Sequence, residues 1–181
     1  LYFYVRHKNH QEGDYDPVFF KQIRIGKDGK LFEMIKFRSM IPNAEAVLEQ
    51  LMKTDPKIRE EYTIHKKLRQ DPRITTAGEF LRKTSLDEFP QLINVLKGEM
   101  TLIGPRPYLP REKEDMGEYY NQIIQVKPGL GGLWQVRGRS DLSFHDRCEL
   151  DKEYVENWNL LWDFKILLKT LQIVLLRKGA M

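Results

Sequence analysis

Lys83-Thr-Ser-Leu-Asp-Glu-Phe-Pro-Gln91 places two adjacent carboxylates, Asp87 and Glu88, at the head of a segment with helical apolar spacing. Phe89, Leu92, Ile93 and Leu96 fall at i, i+3, i+4 and i+7, which is one face of a helix. At about 100° per residue, Asp87, Gln91 and Asn94 fall on the opposite face. The spacing therefore predicts a helix that buries its apolar side and presents a carboxylate and two amides. Pro90 has no N–H to donate and is tolerated only near a helix start, so the helix is predicted to begin near Asp87. Ser85 and Glu88 match a capping box, in which Glu88 would serve only the backbone.

The same residues also fit a chemical reading. A helix N-terminus attracts phosphate. Arg82 and Lys83 precede the pair, and Arg106 follows it on the rigid turn Gly104-Pro-Arg-Pro107. Two carboxylates amid arginines suit Mg²⁺, which binds carboxylates together with substrate phosphates. An Asp so placed can act as a nucleophile on phosphorus. Arginine forks match phosphate oxygens, and Arg38, Arg73 and Arg139 also lie on tight turns. Local sequence leaves the cap and the catalytic pair both open.

Outward from this stretch, Val18–Ile25 and Leu31–Phe37 read as strands of a β-hairpin around Asp28-Gly29. Residues 6–16 are polar and read as a loop. Leu1-Tyr-Phe-Tyr-Val5 reads either as the end of an apolar segment emerging at a basic interface or as a core strand. Residues 42–69 read as helix, broken at Asp55-Pro56. Residues 71–78 form a predicted loop and 79–83 a short helix. Met100–Ile103 reads as a strand, 111–125 as a charged helix, and Lys127-Pro-Gly-Leu-Gly-Gly132 as a glycine-rich loop. A mixed amphipathic helix is predicted over 142–157. The stretch 160–177 is more apolar, with Trp158 and Trp162 at one end and Arg177-Lys178 at the other. It suits a helix at a bilayer interface or one packed on the core.

The chain of 181 residues is long enough for one domain with a sizeable core, and no internal repeat divides it. A hydrophobic content of 41% with 31% charged residues argues for a folded chain. Its net charge of +4 favours anionic partners. The one cysteine, Cys148, excludes an internal disulfide. The four histidines show no zinc-type spacing. No apolar run reaches the ~18 residues of a membrane span, and no signal peptide is visible. No Walker-type phosphate loop, dinucleotide fingerprint or nucleophile-elbow serine occurs. The basic residues do not interleave with aromatics as in an RNA-binding sheet, so nucleic acid is not an expected partner.

Eight motifs occur in order: Pro17-Val-Phe-Phe-Lys-Gln22, Lys36-Phe-Arg-Ser-Met40, Asp71-Pro-Arg-Ile-Thr75, Lys83-Thr-Ser-Leu-Asp-Glu88, Pro90-Gln-Leu92, Asn94-Val-Leu-Lys-Gly98, Gly104-Pro-Arg-Pro107 and Gly132-Leu-Trp-Gln-Val136. Together they resemble the bacterial sugar transferase family, the monotopic polyprenyl-phosphate phosphoglycosyl transferases, over residues 17 to 181. The likeness is greatest to members that begin capsule or exopolysaccharide subunits with a hexose phosphate. The resemblance implies an α+β, helix-rich, membrane-associated catalytic domain with a small β-hairpin and amphipathic interfacial helices. It implies a catalytic domain over 17–181, with 1–16 as the end of a membrane-entering segment and its linker.

The activity so implied is transfer of a sugar-1-phosphate, glucose or galactose, from a UDP-sugar to undecaprenyl phosphate with release of UMP. Asp87 would be the nucleophile, and Asp87 and Glu88 would hold Mg²⁺. Arg82 and Arg106 match family positions near the nucleotide-sugar phosphates, and Lys36, Arg38, Arg73 and Arg139 sit in matching motifs as further expected substrate-binding residues. The implied setting is the bacterial inner membrane, the domain facing the cytoplasm against the lipid surface, with a homo-oligomer left open. Two departures stand out: the linker reads Gly13-Asp-Tyr-Asp16, and Gly131 stands where Thr is common. The rival is a non-catalytic membrane-surface module that only binds polyprenyl or nucleotide phosphates.

Overall fold

The structure, a computed structural model, describes residues 1–138 and 142–175. It is α+β and helix-rich. Helix α1 (Tyr2–Gln11) leads into the hairpin β1 (Phe19–Ile25) and β2 (Leu31–Phe37). Helices α2 (Ala44–Thr54), α3 (Pro56–His65) and α4 (Thr76–Thr84) follow. A 3₁₀ turn (Leu86–Gln91) runs into α5 (Leu92–Leu96) and strand β3 (Thr101–Ile103). Short helices α6 (Lys113–Met116) and α7 (Tyr120–Ile123) precede β4 (Gly129–Gly131), α8 (Leu133–Arg137), α9 (Phe144–Glu156) and α10 (Leu160–Leu175).

The hairpin forms as the period-2 pattern predicts, with Phe19 opposite Phe37 and Ile25 opposite Leu31. Asp28 and Gly29 both take positive φ at its tip. The predicted break at Asp55-Pro56 is also present: Asp55 ends α2 and its carboxylate accepts from Lys57 N and Ile58 N to start α3. β3 and β4 pair in parallel, joining the Gly104-Pro-Arg-Pro107 turn to the glycine-rich loop. This contact needs glycine on both sides. A Cβ on Gly129 would lie 2.1 Å from Gly104 N, and one on Gly104 would lie 2.8 Å from Gly129 N.

Several predicted elements differ. Residues 6–11 are helical rather than loop, because Val5 and Asn9, one turn apart, both pack inward. Leu1–Val5 is accordingly not a strand: Tyr2–Val5 opens α1, and Val5 joins Val18, Phe37, Ala77 and Leu81 in one apolar cluster. The single helix predicted over 111–125 is split. Gly117 at φ 51, ψ −127 ends α6, and α7 restarts beyond a 3₁₀ turn.

The largest departure is at α5. Its apolar face points outward: Phe89 is 58%, Ile93 45% and Leu96 88% exposed, while Gln91 and Asn94 are 2% and 0% exposed. The polar face is the buried one. Among the described residues no helix is long and apolar enough to cross a membrane.

The strand-to-helix junctions around α4 leave no spare room. A Cβ on Gly78 would fall 1.9 Å from the Ser39 carbonyl oxygen. Gly78→Ala should therefore destabilise the fold by about 1–3 kcal/mol or more, measured by chemical denaturation. An unchanged midpoint would contradict this packing.

Candidate active site

A cleft of about 1360 Å³ opens beside the hairpin and is lined by Lys36, Arg24, Arg82, Asp87, Glu88 and Arg106, among others. Strand alternation supplies one wall. Lys36 lies opposite Phe20 in the register, so Phe20, Gln22 and Arg24 share its face. The turn after α4 supplies the acids. Ser85 takes the left-handed conformation at φ 56 and caps nothing with its side chain. The Ser85–Glu88 capping box therefore does not form. Glu88 is instead engaged by Lys36, whose Nζ donates to Glu88 Oε1 at 2.8 Å.

This ion pair divides the two acids. Burial works against ionisation of Glu88, but the charge and hydrogen bond of Lys36, helped by Arg106 and Arg24, hold its carboxyl below the usual value. Asp87 is pushed the other way, up to about 6, by burial and then by the Glu88 charge. Lys36 and Arg82 offset only part of that rise. Two neighbouring carboxylates with separated affinities for protons are a common arrangement of a reactive pair.

The predicted phosphate-binding residues separate into two groups. Arg82, whose Nε donates to Ser39 Oγ at 3.0 Å, faces the cleft near the acids, and Lys36 and Arg106 join it. Arg106 lies over the Trp134 ring and the Tyr108 ring, each 5.9 Å from its guanidinium carbon, and its buried Nε has no hydrogen-bond partner among the described residues. Arg38 and Arg73 are engaged inside the protein. Arg38 grips Asp14 through both terminal nitrogens (2.5 and 3.0 Å) and donates to the carbonyls of Asp16, Pro17 and Met40. Arg73 forms a two-pronged pair with Asp71 (2.7 and 2.5 Å) and donates to Ala44 O. Both are buried and hold loops in place at the edge of the cleft. Arg139 lies outside the described residues, as do the helix residues predicted beyond Leu175.

Sequence reading missed three residues. Arg24 donates to Pro107 O at 2.9 Å and to Gln22 Oε1 at 2.6 Å, and burial, then Arg106, lower its pKa to about 10. Alternation across the hairpin from Lys36 was the available signal. Arg147 and Asp151 lie on the buried stripe of α9 with Phe144, Cys148 and Tyr154. Arg147 donates to the carbonyls of Ser143 and His65 and lines the cleft. Asp151 is fully buried and accepts from Arg106 N at 2.9 Å and Tyr108 Oη at 2.8 Å. It thereby fixes the turn that carries Arg106. Charged residues inside a helical apolar stripe were the signal for this pair.

Even with Arg38 and Arg73 neutralised by Asp14 and Asp71, the cations lining the cleft outnumber the carboxylates that line it. Such a cavity suits a ligand with several negative charges, and the arginine forks suit phosphate. The family model described as bacterial sugar transferase matches residues 2–177.

The chain belongs to the bacterial sugar transferase family. It is 50% identical over 157 residues to the UDP-galactose-lipid carrier transferase of Erwinia amylovora, covering 87% of this chain and 33% of that protein. It is 47% identical over 180 residues to the undecaprenyl-phosphate galactose phosphotransferase of Salmonella typhimurium, covering 99% and 37%. The exopolysaccharide production protein ExoY of Sinorhizobium fredii is 43% identical over 167 residues, covering 92% and 74%. The chain thus spans about a third of the first two relatives and most of the third. In this bacterial sugar transferase, six of the eight ordered motifs contribute residues to the lining of one cleft; Pro90-Gln-Leu92 and Asn94–Gly98 do not.

Two measurements test this assignment of roles. Arg38→Ala should cost about 3–5 kcal/mol of folding stability, because it strands Asp14 in a buried pair; Arg82→Ala should leave stability nearly intact. Equal effects on melting would contradict the division. The second concerns Asp151, which burial raises to about 7. Its folded-state pKa lies above the unfolded value, so its contribution is fully present at low pH and lost as pH rises through about 7. Asp151→Asn keeps an acceptor but does not titrate. The melting temperature of the variant minus that of the wild type should therefore grow by several degrees between about pH 5 and about pH 8. A pH-independent difference would contradict an ionising Asp151.

Proposed function

We propose that this chain transfers a sugar-1-phosphate from a UDP-sugar to undecaprenyl phosphate and releases UMP, as the first membrane step of polysaccharide synthesis. The observation that carries this reading is the Asp87–Glu88 pair, divided by Lys36 and facing a cleft rich in unneutralised arginine. A module that only binds phosphate gains nothing from a carboxylate near neutrality placed where anions gather. The names of the relatives, two of them galactose transferases and one a UDP-glucose:undecaprenyl-phosphate glucose-1-phosphate transferase, support a hexose donor, glucose or galactose, and a polyprenyl acceptor.

In this reading the Asp87 carboxylate attacks the sugar-bearing phosphorus. The bond from that phosphorus to the UMP oxygen breaks, and UMP leaves with the electron pair. An oxygen of undecaprenyl phosphate then attacks the same phosphorus and displaces Asp87, giving the polyprenyl diphosphate sugar. Dividing one transfer into two in-line displacements is the use of a covalent carboxylate. Arg82, Arg106 and Lys36 neutralise phosphate oxygens as charge shifts, with Arg24 beside them. Lys36 keeps Glu88 ionised and Asp87, raised to about 6, is ionised at neutral pH, so the pair offers hard oxygen donors, which fits Mg²⁺. Asp87 and Glu88 would hold it, and when bound it would supply charge neutralisation at the diphosphate.

The surface supports a lipid setting. Phe89, Ile93 and Leu96 project from the acid-bearing segment itself. On α10, Leu160, Phe164, Leu168 and Leu171 form an exposed stripe, while Ile166 is buried against the core. Exposed apolar faces of this kind suit a helix lying in a bilayer interface. We place the domain, residues 17–181, on the cytoplasmic side of the inner membrane.

In the full-length membrane protein, Asp87→Asn should reduce UMP release from UDP-sugars by at least about a thousandfold and abolish labelling by a radioactive sugar-phosphate. Excess chelator should also stop turnover. Wild-type UMP release by Asp87→Asn would overturn the nucleophile, and turnover in chelator would overturn the metal.

A further inference from the structure

The inverted burial of α5 has a specific cause in Asn94. Its carboxamide oxygen accepts from Ile35 N at 3.1 Å, and its nitrogen donates to Glu33 O at 2.8 Å. The N–H of one strand residue and the C=O of the residue two before it point to the same edge, so these are the two bonds a neighbouring strand would make. Asn94 therefore stands in for a third strand on the free edge of β2. Glu99 fixes the carboxamide in turn, accepting from its nitrogen at 2.7 Å. The Asn94 carbonyl accepts from Glu99 N at 3.0 Å and Met100 N at 3.3 Å, which ties down the exit from α5.

The clipped residues are adjacent to the chemistry. Lys36 directly follows Ile35 and points to the cleft, where it pairs with Glu88. Glu88 lies on the 3₁₀ turn that runs straight into α5. Thus β2 and the acid-bearing segment are joined twice, by Asn94 to the strand backbone and by Lys36 to Glu88. The first joint is buried, neutral and geometrically strict; the second is a flexible lysine whose side chain is about a quarter exposed. A strict joint beside a flexible one sets the position at which the flexible one closes. Gln91, the other buried amide, leaves its nitrogen without a partner among the described residues and makes no such clip.

We propose that Asn94 is a positioning residue for the transfer reaction: as a one-residue surrogate strand, it fixes the register between β2 and the Asp87–Glu88 turn at which Lys36 meets Glu88. This rests on the reading of Asp87–Glu88 as the reacting pair. Asn94 touches no substrate and acts only through Lys36.

The test is a double-mutant cycle on UMP release by the full-length membrane protein, using Asn94→Leu, which keeps the buried volume without the hydrogen bonds, and Lys36→Met. Each single variant should lower kcat by about ten- to a hundredfold, and Asn94→Leu should add less than about threefold to Lys36→Met, because residues acting as a unit are not additive. The control is Met100→Ala, a nearby core truncation that lowers stability but leaves every hydrogen bond of the Asn94 side chain in place. Its smaller effect on kcat should multiply fully with Lys36→Met. In amide hydrogen exchange, Asn94→Leu should deprotect the Ile35 N–H more than Met100→Ala does. Full multiplication of Asn94→Leu with Lys36→Met, or wild-type kcat in Asn94→Leu, would overturn the positioning role. Wild-type release by Asp87→Asn would instead overturn the transfer reading itself, so the two failures are separable.

Discussion

Lys36 and Glu88 meet at 2.8 Å across the junction of the hairpin and the turn after α4, and the electrostatics of the cleft follow from that contact. Both side chains keep partial access to solvent, yet burial still opposes ionisation of Glu88 and the charge and hydrogen bond of Lys36 outweigh it. Its main effect is to assign charge. Burial raises the proton affinity of Asp87, and the charge on Glu88, held ionised by Lys36, raises it further. A carboxylate that ionises near 6 is anionic at neutral pH yet weakly stabilised by its surroundings. That is a favourable condition for a nucleophile, because strong prior stabilisation of the anion would have to be lost in the reaction.

The cations have a parallel division that motif reading does not resolve. Arg38, Arg73 and Arg106 stand in ordered motifs near tight turns, and Arg82 directly precedes one. Carboxylates at Asp14 and Asp71 lie close in space to the first two and neutralise them. The Asp71–Arg73 pair is local and was visible in the sequence as Asp-Pro-Arg. The Asp14–Arg38 pair spans the hairpin and required the fold. What distinguishes a structural arginine from a substrate arginine is whether its donors are already engaged, and spacing does not encode that.

The legible parts of the fold were those governed by local rules. Alternation gave the hairpin, Asp55-Pro56 gave the α2–α3 break, and paired prolines gave the rigid turn that carries Arg106. The failures came where a local rule met a tertiary one. Ser85 and Glu88 satisfy the capping pattern, yet Lys36 from another element competes for Glu88, and Ser85 turns left-handed instead. The α5 pattern failed for a deeper reason. Burial of an apolar stripe presumes that the protein interior is the most apolar surrounding available and that the polar face has nothing better than water to bond. Neither presumption holds for α5. Asn94 finds strand N–H and C=O groups inside, and in the proposed setting Phe89, Ile93 and Leu96 face lipid.

The orientation of α5 therefore links the two substrates the proposed reaction must bring together. A nucleotide sugar is polar and multiply charged, and suits the arginine-lined cleft. A polyprenyl phosphate has a charged head and a chain that is stable only in lipid, so its phosphate reaches a protein site only from the bilayer surface. The acid pair must then lie on an element whose one side faces the cleft and whose other side faces the membrane. A helix oriented by hydrophobic burial would turn Phe89 and Ile93 inward and leave the acids far from any lipid boundary. Orientation by polar contacts, Asn94 to β2 and Glu88 to Lys36, reverses this. The same short segment can then carry the reactive carboxylates inward and an apolar face outward. On this view the buried amide and the exposed apolar residues are one design constraint: the transfer requires an element that is anchored to the protein by its polar side.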